Sequence, residues 1–418
     1  MTKSLDPDGE ANFELANSDL TYHDRYSDAL DVTAQLSYVK LNSRFGLIGF
    51  PPGAFGGTFP DGVRQDLDVE EDRVRGELTG LYTGIKHHWL RVGLGGVFES
   101  TDTTRDERNY IVVNGVPLPT GIVAEGGGVG DVPIFPDAER TIFYTYLQDE
   151  WSFTNDWSLT TGVRLDHYSD FGTTVNPRVG LVWNTDYRLT TKILYGRAFR
   201  PPSFIEQHSN GLTLGLGNPD LDPTTIDMVE LAFDYRSTRY RSSLNLFWYT
   251  LHDFIEVVAN PASPNGLGFV NGDDHSGYGW EWEYALDITP SVGLLWKYAY
   301  VDGLGQDDDV RTRLTPKHQI YGEANWHITP EWNLNANVKS VLNRERPSGD
   351  PRPPIDDYST VNLTLQRRNI ANYFDAAISI RNLLDANARE PSDSATSLPF
   401  DIPFAGRHVY GELRIQFP

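Results

Sequence analysis

Apolar and polar residues alternate with a period of two along most of the chain. The clearest case is the segment from Trp332 to Lys339, where Trp332, Leu334, Ala336 and Val338 alternate with Asn333, Asn335, Asn337 and Lys339. Successive side chains of a β-strand point to opposite faces of its sheet, so this pattern predicts a strand with one apolar and one polar face. About 17 or 18 segments of about 9–15 residues carry the pattern, which predicts an all-β protein.

The same alternation recurs from one end of the chain to the other, and no amphipathic helix is predicted. Further alternating segments are Asp28–Val39, Arg73–Tyr82, Trp89–Phe98, Trp157–Leu165, Trp280–Asp287, Thr360–Gln366, Tyr373–Arg381 and His408–Phe417. The side chains predicted to lie on the polar face include Arg164, Asp166, Glu281, Glu283, Asn333, Asn335, Asn337, Lys339, Glu412 and Arg414.

The connections between these segments alternate between short and long. Short connections such as Thr289-Pro290 and Thr329-Pro330 alternate with long ones of about 10–40 residues, near residues 51–71, 100–139, 199–224, 258–276, 303–313, 344–356 and 385–406. Short turns on one side and long loops on the other are typical of outer-membrane barrels. Because the chain ends after a strand that follows a long loop, the long loops are predicted to be extracellular.

A sheet of this size with an apolar and a polar face predicts a closed transmembrane barrel. In lipid every backbone N–H and C=O group has to be hydrogen-bonded, so the sheet closes and leaves no free edge. The mean hydropathy of −0.42 suits a barrel, since only every second strand residue faces lipid. We therefore expect a transmembrane antiparallel up-and-down β-barrel, with outer-membrane lipid against its apolar face. A soluble all-β protein is the alternative interpretation of the same pattern.

Composition narrows the possible partners and chemistry. The 35 Lys and Arg residues against 58 Asp and Glu give 35 − 58 = −23, a net charge that disfavours nucleic acid. The absence of Cys excludes disulfides and thiol chemistry. The glycine-rich stretch Glu125–Asp131 is not followed by Lys-Ser or Lys-Thr, so it is interpreted as a loop rather than a phosphate site. No enzyme, cofactor or metal site is predicted.

The middle of the chain carries a long ordered motif between two predicted strands, YGRAFRPPSFIEQHSNGLTLGLGNPDLDP. Its marked residues are Tyr195, Gly196, Phe199, Arg200, Pro202, Glu206, Gly217, Asn218, Pro219, Leu221 and Pro223, with Glu230 on the strand that follows. This motif resembles the mid-barrel signature of TonB-dependent outer-membrane receptors. Phe417 likewise resembles the C-terminal aromatic residue that the barrel-assembly machinery reads in such proteins.

The resemblance implies a receptor that binds a scarce ligand, most often a ferric siderophore, and is energised through the TonB complex. Members of the family have a plug domain and 22 strands, whereas the resemblance here covers about residues 20–418 and only the later barrel, about 17–18 strands. The sequence has no candidate for a signal peptide, a TonB box, a plug or the first strands, so a truncated barrel is expected. Ligand-binding residues are expected in the extracellular loops: Arg105, Arg108, Tyr110, Arg140 and His208.

Two functional hypotheses of different classes remain beside the soluble one. The leading hypothesis is a TonB-dependent receptor in the outer membrane of a Gram-negative bacterium. The alternative is a passive porin-like channel without a plug. Guanidinium and aromatic groups of the predicted ligand-binding residues suit an anionic ferric chelate.

Overall fold

The computed structural model describes residues 10–50, 52–53, 56–113, 116–125, 136–210, 215–263, 266–304, 315–346, 350–392 and 400–415. Most of the stretch Glu125–Asp131 and Phe417 therefore lie outside the described residues.

Strands dominate the described part of the chain. The first eleven are β1 (Glu10–Ser27), β2 (Leu30–Phe50), β3 (Val63–Tyr82), β4 (His88–Val113), β5 (Val116–Glu125), β6 (Ala138–Trp151), β7 (Trp157–Tyr168), β8 (Gly172–Asp186), β9 (Leu189–Arg200), β10 (Thr224–Arg236) and β11 (Tyr240–His252). The others are β12 (Ile255–Ala259), β13 (Leu267–Asn271), β14 (His275–Thr289), β15 (Val292–Leu304), β16 (His318–His327), β17 (Trp332–Leu342), β18 (Tyr358–Ile370), β19 (Phe374–Arg381), β20 (Arg389–Glu390), β21 (Ile402–Pro403) and β22 (His408–Ile415). One short helix, α1 (Phe204–His208), lies between β9 and β10.

One antiparallel sheet of eighteen strands forms the wall of the molecule. Apart from β5, which pairs only with the distal end of β4, each strand of this sheet pairs with the next one along the wall. Eighteen less β5 leaves 17 successive strands, from β1 to β22, which confirms the predicted up-and-down order. Among the described residues, β1 pairs only with β2, and β22 pairs only with β19.

The two faces of the wall differ as predicted. On β17 and β18 the pairs Leu334–Leu365 and Val338–Val361 lie opposite each other on one face. On the other face, the Asn337 side chain accepts a hydrogen bond of 2.8 Å from the Asn362 amide. Large apolar side chains remain exposed on the first face, with Leu94 56% and Trp248 60% exposed. Such an apolar band is what lipid covers in a membrane barrel.

Aromatic rings cover glycines on the polar face of the wall. A Cβ atom on Gly95 would lie 2.4 Å from the ring of Tyr144, so the glycine allows the ring to cross β4. The Tyr144 hydroxyl then donates a hydrogen bond of 2.8 Å to Glu77 on β3. Tyr146 crosses β4 in the same way and donates a hydrogen bond of 3.0 Å to Glu77. These contacts join three successive strands through side chains.

Several predicted boundaries are wrong because strands extend past the membrane-sized segments. Strands β3 and β4 have 20 and 26 residues, whereas about 9–11 residues cross a bilayer. Residues 100–113 continue β4 and residues 116–125 form β5, so most of the predicted loop 100–139 is strand. The predicted strand from Asp28 to Val39 lies in β2 but begins two residues too early, since Asp28 and Ala29 form the turn between β1 and β2.

The long connections contain structure that alternation does not predict. They hold α1, the hairpin of β12 and β13, and the two-residue strands β20 and β21. Within the described residues, no helix has the length and apolar character needed to span a membrane.

Candidate functional site

The loop between β9 and β10 begins with a capped helix. The Ser203 hydroxyl accepts a hydrogen bond of 3.3 Å from the Glu206 backbone N–H, and the Glu206 carboxylate accepts one of 2.8 Å from the Ser203 N–H. This reciprocal capping box fixes the start of α1. The Arg200 guanidinium donates to both carboxylate oxygens of Glu206, at 2.9 and 3.2 Å. Two signature residues, Arg200 and Glu206, thus stabilise the loop itself.

The environment of Glu206 keeps it ionised. Burial acts to raise its pKa, but the hydrogen bonds from Arg200 and Ser203 outweigh burial, so its pKa lies below the usual range. The carboxylate therefore remains an acceptor for both partners at neutral pH.

The glycine of the Gly-Asn-Pro run permits a close backbone approach. A Cβ atom on Gly217 would lie 2.6 Å from the backbone nitrogen of Ser209 and 2.7 Å from the carbonyl oxygen of Gln207. The Gly217 N–H donates to the Ser209 carbonyl at 2.7 Å, and the Asn218 N–H donates to the Glu206 carbonyl at 2.9 Å. The second half of the loop is thereby bonded back onto α1. Only glycine fits at this position without displacing backbone.

The same loop is packed against the β12–β13 hairpin. Asp222 and Asn271 exchange two hydrogen bonds of 2.9 Å, each between a backbone group of Asp222 and the Asn271 amide. Leu221 is 1% exposed, and Pro202 is also fully buried. Pro219 and Pro223 flank Leu221 in the segment that leads back to β10. The signature loop and the hairpin therefore form one ordered unit above the ends of the strands.

The strand residues of the signature make contacts within the wall. The Tyr195 hydroxyl donates a hydrogen bond of 2.8 Å to Asp227, and Glu230 accepts one of 2.8 Å from the Asn245 amide. Gly196 lies opposite Met228 in the β9–β10 register. Phe199 packs edge-on against Tyr168, with ring centroids 5.7 Å apart.

Arg140 anchors the helix of this unit to the wall. It is 4% exposed, and its guanidinium lies 4.8 Å from the centroid of the Phe204 ring. It donates hydrogen bonds to the Pro202 carbonyl at 2.8 Å, to the Gln207 side chain at 2.9 Å and to Asp170 at 2.8 Å. An arginine with this set of partners fixes α1 over the ends of β6 and β7.

His208 and Arg140 are brought together by Phe204, whose ring stacks with the His208 ring at 6.4 Å. Burial is the largest influence on His208 and lowers its pKa, and the positive charge of Arg140 acts in the same direction. Asp170 acts in the opposite direction but does not reverse the shift. His208 is therefore neutral at pH 7.

The other predicted ligand residues lie on the extension of β4, not on a loop. Arg108 is 1% exposed and forms an ion pair of 3.2 Å with Asp106. Tyr110 is 8% exposed and belongs to an apolar cluster with Phe59 and Val63. Arg105 differs from both, because its side chain is 41% exposed and pairs with a neighbouring glutamate. The structure thus separates this group from the pair formed by Arg140 and His208.

A third group of buried arginines joins the last two long connections, and sequence reasoning did not find it. Arg344 pairs with Glu390 at 2.6 Å, and Arg346 pairs with Asp401 at 2.5 Å. Arg352 pairs with Asp350 at 2.6 Å, and this hydrogen-bonded contact lowers the pKa of Asp350 to about 2. The partners lie up to 55 residues away in the chain, so no local motif reveals the group.

Comparison with known sequences gives the family. The family model described as TonB dependent receptor-like, beta-barrel, matches residues 3–383. An iron-regulated outer membrane virulence protein of Vibrio cholerae serotype O1 is 33% identical over 224 residues, covering 49% of this chain and 34% of that protein. The ferric enterobactin receptor PirA of Pseudomonas aeruginosa is 25% identical over 247 residues, covering 55% and 28%. This chain thus matches about a third of the length of these relatives.

Solved structures show the same fold. The siderophore receptor PirA from Acinetobacter baumannii superposes with a TM-score of 0.71 at 18% identity, covering 97% of this chain and 63% of that one. A structure described as the copper transporter OprC superposes with a TM-score of 0.77 at 16% identity, covering 98% and 66%. The chain belongs to the TonB-dependent receptor-like β-barrel family and is an outer-membrane protein.

Proposed function

We propose that this chain forms the barrel of a TonB-dependent receptor that takes up a ferric siderophore or a similar scarce metal complex. The observation that carries the proposal is the family match over residues 3–383. The relative from Vibrio cholerae, whose name describes it as iron-regulated, supports iron as the cargo. In this proposed function residues 1–418 form one barrel domain, which acts together with a plug that contacts TonB.

The loops on the long-connection side support a binding role. Receptor loops that capture a ligand from dilute solution bind more tightly when they are ordered in advance, because less conformational entropy is lost. The unit formed by the signature loop and the β12–β13 hairpin is ordered by Arg140, Gly217 and Asn271. The buried arginines of the last two connections order a second pair of loops.

The different exposure of the predicted ligand residues supports two different roles for them. Arg108, Arg140 and Tyr110 are buried, so the proposal assigns them to holding the loops and the β4 extension. Arg105 is exposed and carries a guanidinium that can bind an anionic chelate, so it stays the leading candidate for ligand contact. His208 is partly buried, and its contact with ligand stays a prediction.

The protein has four kinds of partner in this proposed function. Outer-membrane lipid covers the apolar face, the barrel-assembly machinery inserts the chain, and the TonB complex energises release of a bound ferric siderophore. Nucleic acid is not among them, in keeping with the net charge of −23. No enzymatic step is part of the proposed function.

Deletion of the gene that encodes this chain tests the proposal. Iron-starved cells are offered radiolabelled ferric catecholate, hydroxamate and carboxylate siderophores, haem, cobalamin and copper complexes, with and without a functional TonB. We expect the deletion to abolish uptake of one ligand whose uptake also requires TonB. Uptake that persists without TonB would instead support a passive porin-like channel, and unchanged uptake of every ligand would contradict both.

A substitution refines the test for the ligand contact. Arg105→Gln is expected to weaken binding of the transported chelate, while the matched control Arg414→Gln leaves it unchanged. Arg414 also pairs with a glutamate on its own strand and is also exposed, but it lies near the short-turn end of β22. Equal affinities of the two variants for the chelate would remove Arg105 from the binding site.

A further inference from the structure

The apolar face of the wall carries a groove across β14 to β18. Its volume is about 370 Å³, and its lining is almost wholly apolar. The floor is formed by three small residues, Gly322, Ala324 and Ala336, and the side walls include Leu294 and Trp296. The residues of the lining on this face are Tyr284, Leu294, Trp296, Gly322, Ala324, Ala336, Val338 and Val361.

Strand register explains why the groove forms. Leu294, Ala324, Ala336 and Leu363 follow one another directly across β15 to β18. Two small residues therefore stand between two large ones in this row. In the neighbouring row Trp296 lies opposite Gly322, and a Cβ atom on Gly322 would lie 3.5 Å from the Trp296 ring. The depression is thus built by the residue order on four strands.

A charged residue lies on the same face between the groove and the short turns. Arg367 of β18 lies opposite Trp332 of β17. On the same face, the Leu334–Leu365 pair lies between this pair and the Ala336–Leu363 pair of the groove, which is four residues away along the strand. Four residues of strand span about 13 Å. The Arg367 guanidinium lies 5.4 Å from the centroid of the Trp332 ring and forms no ion pair with any residue that the structure describes.

An arginine on the lipid-facing side of a barrel remains charged and therefore requires an anion from its surroundings. At the short-turn side the surrounding leaflet is the inner one, which consists of phospholipid. A phosphate group matches the two parallel N–H donors of a guanidinium, and the tryptophan ring holds the guanidinium at the interface. Arg368, the next residue, lies on the polar face, where its guanidinium donates a hydrogen bond of 3.2 Å to Gln366, so Arg367 is the arginine that this end of β18 presents to lipid.

We propose that this groove and Arg367 form a binding site for one anionic phospholipid of the inner leaflet. The phosphate pairs with Arg367 above the Trp332 ring. One acyl chain runs past Leu334 and lies in the groove over Gly322, Ala324 and Ala336. This site is independent of the ligand that the receptor transports, because it lies on the opposite face of the wall from the polar side chains.

Native mass spectrometry of the protein purified from outer membranes tests the proposal. The protein is exchanged into vesicles of phosphatidylglycerol and phosphatidylethanolamine in equal amounts, and retained lipids are counted. We expect one phosphatidylglycerol to be retained in preference to phosphatidylethanolamine, and Arg367→Gln to reduce that preference at least about fivefold. The matched control is Arg188→Gln, since Arg188 is also an arginine at the short-turn end, 4.7 Å from the Tyr187 ring, but does not adjoin this groove.

A second measurement locates the acyl chain on the unmodified protein. Phosphatidylglycerol with a diazirine near the end of one chain is photolysed on the unmodified protein, and labelled peptides are identified. We expect labelling to concentrate in residues 318–342, and Ala336→Phe to abolish it. Retention of both lipids alike, equal effects of the Arg367 and Arg188 variants, or labelling spread evenly around the barrel would overturn the site.

Discussion

The substitution Arg140→Ala tests the role of this residue as an anchor of the signature loop. It removes hydrogen bonds to the Pro202 carbonyl, to Gln207 and to Asp170, together with the contact with the Phe204 ring. It also leaves a largely buried carboxylate without its cation, since the Asp170 side chain is 17% exposed. Removal of one partner from such a buried pair costs about 3–5 kcal/mol.

The cost falls on the loop unit rather than on the wall. The backbone N–H groups of Gly217 and Asn218 donate to the carbonyls of Ser209 and Glu206, and we expect these bonds to open when α1 is no longer held against the wall. Because each 1.4 kcal/mol is a tenfold change, we expect hydrogen exchange of these two amides to accelerate by about 10²- to 10³-fold. The strands below should keep their protection, because the ladder between β4 and β6 is made by backbone groups and does not involve the Arg140 side chain.

Hydrogen exchange followed by mass spectrometry measures this effect on the peptides that cover residues 200–224 and β6. The matched control is Arg105→Ala, which removes an exposed arginine whose solvent-screened ion pair contributes little to stability. If the two variants accelerate exchange in the signature loop to the same extent, Arg140 does not anchor it. If β6 loses protection as well, the residue stabilises the wall and not the loop alone.

Three further predictions follow from single contacts. Gly217→Ala places a Cβ atom 2.6 Å from a backbone nitrogen across the loop, so a protease should cleave the signature loop of this variant faster than that of the unmodified protein. Gly95→Ala displaces the Tyr144 ring and should destabilise the barrel by about 1–3 kcal/mol. The control Gly96→Ala introduces a Cβ atom that meets no atom closer than 3.6 Å, so it should destabilise the barrel less. The temperature at which each variant shows the heat-dependent gel shift compares their stabilities. The pKa of Asp350 is depressed from 3.8 to about 2, so its contact with Arg352 persists at pH 4 and is lost between about pH 4 and pH 2. Pepsin cleavage of residues 343–357 should rise across that interval, and the rise should be absent in Arg352→Gln.

The wall could be predicted because its determinants are local. The alternation of Leu334 with Asn335 encodes which side chain meets lipid, and each strand repeats that choice. The lengths of the connections follow from turn residues that lie next to one another. The alternation does not encode where a strand ends outside the bilayer. For this reason the sequence predicts loops near residues 51–71 and 100–139, where the structure has extensions of β3 and β4.

The details of the candidate site depended on contacts distant in sequence. Arg140 and its acceptor Gln207 are 67 residues apart, so nothing near Arg140 distinguishes an anchor from a ligand contact. Arg108 is likewise buried, and the strand register places it opposite Gln65 on β3, which is also distant in sequence. The helix α1 did leave a local signal, since Ser203 and Glu206 have the spacing of a capping box. That signal was missed because a helix of five residues has no amphipathic period.

The central claim is that adjacent residues of one strand face lipid and water in turn. The chain contains no Cys, so a single introduced thiol reports on one position only. Leu334→Cys and Asn335→Cys place that thiol on opposite faces of β17 in otherwise identical proteins. With the protein in lipid vesicles, a water-soluble maleimide should label the thiol at 335 rapidly and leave the thiol at 334 unlabelled. Equal labelling of the two variants, or faster labelling at 334, would contradict the account.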